Sequence, residues 1–283
     1  MGSIDLHVHS TASDGECPPA EVVQRAQAAG LTTIALTDHD TLAGLEAAVQ
    51  EGEARGVRVI AGCEFSVAAD WGEMHLLAYF LPVGDDGLNA FLAGQRDGRR
   101  RRAERIVERL NGAGASVTLE AVLRESRGEA VGRPHVARAL VNGGVVPDVD
   151  TAFRKYLGWR QPAFVPKELP PLTEVTALVR KVGGVTSAAH LRDRASRNSL
   201  RRLREAGVDG VEVHHPVHDE MRAQRIERLA GELGMLPTGG TDWHGDDVAM
   251  PNRAPLGSLT VPEPWLTALE ELHEQRISQL EAT

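Results

Sequence analysis

The chain has 283 residues, 42% hydrophobic and 25% charged, which is enough for one large α/β domain with an insertion, or for two small domains. A formal net charge of −9 weighs against non-specific electrostatic binding to nucleic acid, and stable duplex binding is not expected. Cys17 and Cys63 are too few for a disulfide framework or a thiolate zinc cluster, no apolar run reaches membrane-spanning length, and no apolar signal core precedes the first strand pattern. The expectation is a soluble cytoplasmic protein of open oligomeric state.

Ser3 to His9 alternates apolar and polar residues and predicts a strand. Pro18-Pro19 opens a helix that Gly30 closes, Thr32 to Thr37 is a second strand, and a helix over Leu42 to Ala54 follows with Gly56 behind it. Val57 to Phe65 and Met74 to Phe80 read as further strands. From Leu88 to Tyr156 the signals are helical, and Gly158 to Pro171 is a proline-rich return linker. The strand-helix rhythm resumes with strands at Gly184 to His190, Gly210 to His214 and Leu236 to Thr241, and a last helix covers Glu263 to Leu280. Such alternation implies a parallel sheet with helical crossovers, closed or nearly closed into a β/α barrel. Residues 1–87 and 172–283 would form the barrel, and 88–171 a helical insertion capping one face.

The chemistry is legible in where the histidines fall. His7 and His9 end the first strand, His39 the second, Glu64 the third and His190 a later one; His75 begins a strand, and Asp242 and His244 follow the last. Barrel enzymes place their sites at strand C-termini. Residues two apart on a strand share a face, so His7 and His9 can hold one metal, and Asp242 and His244 repeat the spacing. Imidazole and carboxylate without thiolate suits zinc, manganese or iron. A lone histidine is usually an ordinary surface or core residue, but His-x-His, Asp-His and Asp-x-His at successive strand ends together point to a metal site.

His7-Val8-His9-Ser10-Thr11-Ala12-Ser13-Asp14-Gly15, Thr37-Asp38-His39-Asp40-Thr41, Gly62-Cys63-Glu64-Phe65-Ser66 and Gly240-Thr241-Asp242-Trp243-His244-Gly245 resemble the successive motifs of the PHP (polymerase and histidinol phosphatase) family. The resemblance implies a distorted seven-stranded, TIM-like β/α barrel holding two or three divalent metals. It implies His7, His9, Glu64 and Asp242 on one metal, Glu64, His75 and His190 on a second, and Asp14, His39 and His244 on a third. Asp14 is a candidate through the resemblance alone. The family usually has proline after the histidine at 190; here it is Leu191. The implied reaction is phosphoester hydrolysis, with water activated by the metals and no side chain as nucleophile.

Gly132-Arg133-Pro134-His135-Val136-Ala137, the segment Phe153 to Gly158, and Gly210-Val211-Glu212-Val213 with Pro216 and His218 resemble the family's stand-alone phosphoesterases. That group includes 3′,5′-nucleoside bisphosphate phosphatases and a 5′-to-3′ exoribonuclease of short RNA, which implies a nucleotide or short oligonucleotide substrate. Arg99 and Arg102 share a helical face with Ile106, so they are candidates to hold a substrate phosphate. Arg133 and His135 flank a helix start, where free amides favour an anion; Lys167 and His218 complete the candidate substrate-binding set. His214 and His215 read as structural, His273 as surface, and Cys63 as a core residue facing away from the metals. Two alternatives stand beside this reading: another activity of the family, such as a cyclic-phosphate diesterase or simple monoesterase, and a metal-binding module without turnover.

Overall fold

A computed structural model describes residues 3–126, 130–246, 254–259 and 261–282. Its strands are β1 (Ser3–Val8), β2 (Leu31–Leu36), β3 (Arg58–Ala69), β4 (Gly72–Tyr79), β5 (Val185–Ala188), β6 (Gly210–His214) and β7 (Leu236–Gly239). Helices α1 (Pro19–Ala28) and α2 (Leu45–Arg55) lie between the first strands. Helices α3 (Asp86–Gly112), α4 (Leu119–Ser126), α5 (Arg133–Asn142) and α6 (Val149–Ala152) fill the long gap after β4. Helices α7 (Leu172–Lys181), α8 (Arg197–Glu205), α9 (Glu220–Leu233) and α10 (Glu263–Glu281) accompany the later strands. The fold is mixed α/β, with one seven-stranded sheet in sequential order β1 to β7.

The expectation of a wholly parallel sheet is corrected at β4, which runs antiparallel to both β3 and β5. Two residues, Asp70 and Trp71, join β3 to β4, and a parallel return needs a crossover of a dozen residues or more. The reversal has a consequence for the site: the start of β4 lies beside the end of β3, with Ser66 opposite His75. The other neighbouring pairs are parallel.

The two sheet edges, β1 and β7, approach each other but share no ladder among the described residues. A single bridge joins Val8 to Trp243, and Asp5 accepts hydrogen bonds from the Thr241 amide (2.9 Å) and hydroxyl (2.6 Å). Gly240 permits this approach, since a Cβ there would stand 2.4 Å from the His7 Cβ.

Among the described residues, three apolar clusters hold the fold. The largest packs α1, α2, α7, α8 and α9 against the sheet. A second layer draws Ile4 and Leu6, Ala35, Ile60, Leu77 and Tyr79, and Val185 from the first five strands, and is covered by Leu266 and Leu269 of α10. The third lies wholly within residues 103–165, around Ile106, Leu110, Val136, Leu140 and Leu157, so the end of α3 and the helices α4 to α6 bury their apolar faces together, while Leu88 and Leu92 at the start of α3 join the main core.

Candidate metal centre

His7 lies in β1 and His9 just past its end; both are fully buried, and both Nε2 atoms converge on the same two carboxylates. The two nitrogens are 3.1 Å apart; from Glu64 Oε2 they stand 3.3 and 3.2 Å, and from Asp242 Oδ1 3.2 and 3.3 Å. Four donor atoms separated in this way fit the roughly 3.3–3.4 Å edges of a tetrahedron whose corners lie about 2.0–2.1 Å from a common centre. The other oxygen of Glu64 faces a second pair, with His75 Nδ1 at 2.9 Å and His190 Nε2 at 3.1 Å. His39 lies between sets: its Nδ1 is 3.2 Å from Glu64 Oε2 and its Nε2 3.9 Å from Asp14 Oδ1, while His244 Nε2 is 3.3 Å from that same Asp14 oxygen. His9 joins Asp14, His39 and His244 in one group of ligand-type atoms. All nine side chains thus meet in one continuous cluster.

The donor set fits a cation on two further counts. Asp14 Oδ1, His9 Nδ1 and His39 Nδ1 are buried with no hydrogen-bond partner among the described residues, a costly state unless something else satisfies them. The charge balance agrees. Burial works against a charged His9, yet hydrogen bonds and charge from Asp242 and Glu64 carry it up to about 10. Burial likewise opposes ionised Glu64, but His75, His39 and His7 hold it well below the usual range. Carboxylates held ionised around imidazoles call for positive charge at the centre.

The backbone is specialised at the same place. Asp40, His190 and Asp242 occupy the left-handed region, at φ 51°, 55° and 51°. Such conformations in non-glycine residues cluster at functional sites. Leu191, at the position where the PHP motif usually has proline, continues at φ −87° and buries its side chain in the main core.

Glu212 is the residue that the strand pattern left unremarked. It is wholly buried in β6 and its Oε1 lies 2.9 Å from His7 Nδ1. A carboxylate on the second nitrogen of a metal-binding histidine fixes its tautomer and raises its basicity. A glutamate between Val211 and Val213 was the available signal. His215, read from sequence as structural, is buried against the same cluster: its Nδ1 accepts from the Val217 amide (3.1 Å) and its Nε2 faces Asp242 Oδ2 at 3.4 Å. Asp38 ties down the metal-side loop by accepting from the Ser10 amide and from the Ser10 and Ser13 hydroxyls.

The candidate substrate residues separate into two kinds. Arg99, Arg102 and Lys167 line one cleft with Asp40 and Ser66. Arg99 is buried and donates to Asp40 Oδ2 from Nε and Nη2 (2.7 and 2.6 Å); Arg102 donates to the Val165 carbonyl; Lys167 reaches Ser66 Oγ (2.8 Å) and Glu73 Oε1 (2.6 Å). Glu73 in turn is 3.6 Å from His75, which joins the cleft to the histidine cluster. Burial, then the Arg133 and Arg99 charges, push Arg102 down to about 10; burial, then Arg99, push Lys167 down to about 8. Crowded cations of this kind favour an anion among them. Arg133 donates to the Leu157 carbonyl and lies 5.7 Å from the ring centres of Phe153 and Phe164.

The histidines of the set differ. His135 Nδ1 accepts from the Gly132 amide, and its Nε2 is buried without a partner among the described residues. His218 uses both nitrogens on backbone, donating to Val213 and accepting from Arg192, so it braces the loop after β6. His214 packs on Trp265. His273, expected at the surface, is half-buried against Phe80 and donates to the Gly183 carbonyl. Cys63 is fully buried in the main core, as expected.

The PHP domain family matches residues 5–119. A 3′,5′-nucleoside bisphosphate phosphatase of Chromobacterium violaceum is 33% identical over 252 residues, 86% of this chain and 88% of that protein. A 5′-3′ exoribonuclease of Haemophilus influenzae is 33% identical over 245 residues, 85% of this chain and 89% of its own length. Among solved structures, a candidate metal-dependent phosphoesterase from Bifidobacterium adolescentis superposes with a TM-score of 0.87 at 31% identity, covering 96% of each chain. An amidohydrolase from Chromobacterium violaceum with sulfate bound reaches 0.83 at 30% identity, covering 96% of this chain and 97% of that one. With a histidine–carboxylate cluster suited to divalent metal at the centre of its fold, the chain belongs to the PHP family and is a metal-dependent phosphoric ester hydrolase.

Proposed function

We propose that this enzyme hydrolyses the phosphoester on the 3′-oxygen of nucleoside 3′,5′-bisphosphates and of short 5′-phosphorylated oligoribonucleotides, releasing 5′-mononucleotides. The observation that carries the reading is the cationic cleft of Arg99, Arg102 and Lys167, with Arg133 beside it, joined to the metal-type cluster through Glu73 and His75. Two separate anion-favouring places, side by side, suit a substrate with two phosphates. The names of the relatives, a bisphosphate phosphatase and exoribonucleases, fit that arrangement.

In this reading His7, His9, Asp14, His39, Glu64, His75, His190, Asp242 and His244 hold two or three divalent ions, of manganese, iron or zinc. Bound divalent metal supplies Lewis-acid stabilisation of the phosphoryl oxygens and lowers the pKa of water. Glu64 would serve two ions, since its Oε2 faces His7 and His9 while its Oε1 faces His75 and His190. Glu212 orients His7, and His215 steadies Asp242 through its second oxygen. The cleft cations together with Arg133 take the 5′-phosphate and thereby hold the 3′-phosphoester of the same nucleotide beside the histidine–carboxylate cluster. Residues 88–171 act as a cap over a nearly closed barrel built from 1–87 and 172–283; the self-contained apolar cluster of 103–165 and the Asp5–Thr241 contacts support that division. No described helix is long and apolar enough to cross a membrane, and the free, buried Cys17 and Cys63 suit a reducing cytoplasm.

The same cut in RNA releases a 5′-mononucleotide and leaves a new 5′-phosphate, so 5′-to-3′ digestion needs no further machinery. The test is one short RNA with a 5′-phosphate or a 5′-hydroxyl, with products followed over time. Faster turnover of the phosphorylated RNA, with mononucleotides appearing first from the 5′ end, is expected. Equal rates, or release from the 3′ end, would refute the reading.

A further inference from the structure

Trp159 is the one exposed aromatic side chain among the described residues, with 71% of its surface open. An indole in water is a large apolar area left unburied, and the local backbone keeps it there. Phe153–Leu157 form a π-helical turn, a rare geometry often found at functional sites. Gly158 closes that turn by donating to the Phe153 carbonyl at 2.7 Å, and a Cβ on residue 158 would stand 2.7 Å from the same oxygen. Arg160 then enters the left-handed region at φ 64°. Trp159 is held between these two constrained positions, outside the cluster that buries its neighbours Tyr156, Leu157 and Ala163.

What lies beside the indole gives the exposure a use. Its ring meets Phe164 edge-on, with centroids 5.0 Å apart and planes at 77°. The Phe164 ring also lies 5.7 Å from the Arg133 guanidinium, and Arg133 donates to the Leu157 carbonyl of the same segment. Trp159 therefore stands one aromatic ring away from the cation read above as a phosphate grip.

We propose that Trp159 is the stacking platform for the nucleobase of the nucleotide whose 5′-phosphate Arg133 takes. The inference rests on the reading of this enzyme as one for nucleotide substrates. A base is tied to its own 5′-phosphate through one ribose, so a group gripping the phosphate fixes the base within a single nucleotide's reach. Stacking on an indole is sequence-tolerant because every base has a π-face, so the platform serves purines and pyrimidines alike.

The test is a two-by-two comparison of wild type and Trp159→Ala on adenosine 3′,5′-bisphosphate and on the same ribose bisphosphate lacking a base. Trp159→Ala should cut kcat/KM on the base-bearing substrate about tenfold, the order that base–aromatic stacking gives. Removing the base should cost wild type a similar factor, and the two losses should not add. Trp159→Phe should recover most of the loss. Equal losses on both substrates, or none on either, would overturn the platform while leaving the nucleotide reading intact. Turnover of neither substrate by wild type would overturn the nucleotide reading and the platform with it. Unaltered kinetics with a changed oligomeric state would assign the indole to a contact between protein chains, and refute the proposal.

Discussion

Glu212→Gln separates a metal-orienting carboxylate from a merely buried one. Glu212 has no exposed surface, one oxygen 2.9 Å from His7 Nδ1 and the other buried without a hydrogen-bond partner among the described residues. Burying a carboxylate is costly unless it is paired. Here the compensation comes through His7, whose Nε2 faces the centre shared with His9, Glu64 and Asp242. Glutamine keeps the volume and an acceptor oxygen for the His7 Nδ1–H but removes the charge that makes His7 a stronger donor. Loss of such a partner typically costs tenfold to a hundredfold in metal affinity, or about 1.4–2.7 kcal/mol. Affinity is read by competition with a chromophoric chelator, and bound ions are counted by elemental analysis of protein whose circular dichroism matches wild type. The ion held by His7 should weaken by that factor while those on Asp14, His39 and His244 stay bound. Unchanged affinity for every ion, or equal loss of all of them, would refute the orienting role.

Arg133→Ala should lower turnover of a nucleoside bisphosphate about tenfold to a hundredfold, for a charge-assisted contact of roughly 1.5–3 kcal/mol. A monophosphate should lose less, and steady-state kinetics showing equal losses would place Arg133 outside the second-phosphate grip. His135 gives a pH prediction: burial lowers its pKa from 6.5 to about 4, so the unfolded chain takes up the proton first as the solution is acidified. Stability should then fall between pH 6.5 and about 4, by at most about 3 kcal/mol from this group. Urea unfolding of metal-free protein across that range should be less steep in pH for His135→Gln than for wild type; parallel curves would show that His135 is not the source.

How far the sequence could be read depended on the distance over which each contact forms. His9 follows directly on β1, which holds His7, and the extended two-residue period carries past the strand end, so their convergence was legible locally. His75 was legible as a strand residue, but its place beside Glu64 depends on β4 running backwards, which the Asp70-Trp71 connection dictates and a search for crossover helices overlooks. The Glu212–His7 contact joins residues 205 apart, and nothing local in β6 names its partner. Arg99 illustrates the same limit from the other side. Its helical face was readable, but much of its donor capacity goes to Asp40 and Ser66, a pairing decided by how α3 lies against the loop after β2. For His218, the use of both ring nitrogens by backbone became visible only once that loop had a path.

The closing contacts of the sheet and the ligand geometry are the same contacts. Asp242 is held at φ 51°, a conformation that costs a non-glycine residue roughly 1–3 kcal/mol. Its flanks are fixed by the His9 amide on the Trp243 carbonyl (2.9 Å), the Glu16 amide on the His244 carbonyl (2.7 Å), and Thr241 on Asp5. Each of these bonds ties the segment after β7 to β1 or to the loop that follows it, which are the places where His7, His9 and Asp14 lie. The strain at Asp242 is thus offset by hydrogen bonds that also draw the two edges of the sheet together. A substitution that loosens the join, such as Asp5→Ala, removes the acceptor from the Thr241 amide and hydroxyl and from the His7 amide without altering any ligand side chain, and lets the last motif drift from the first.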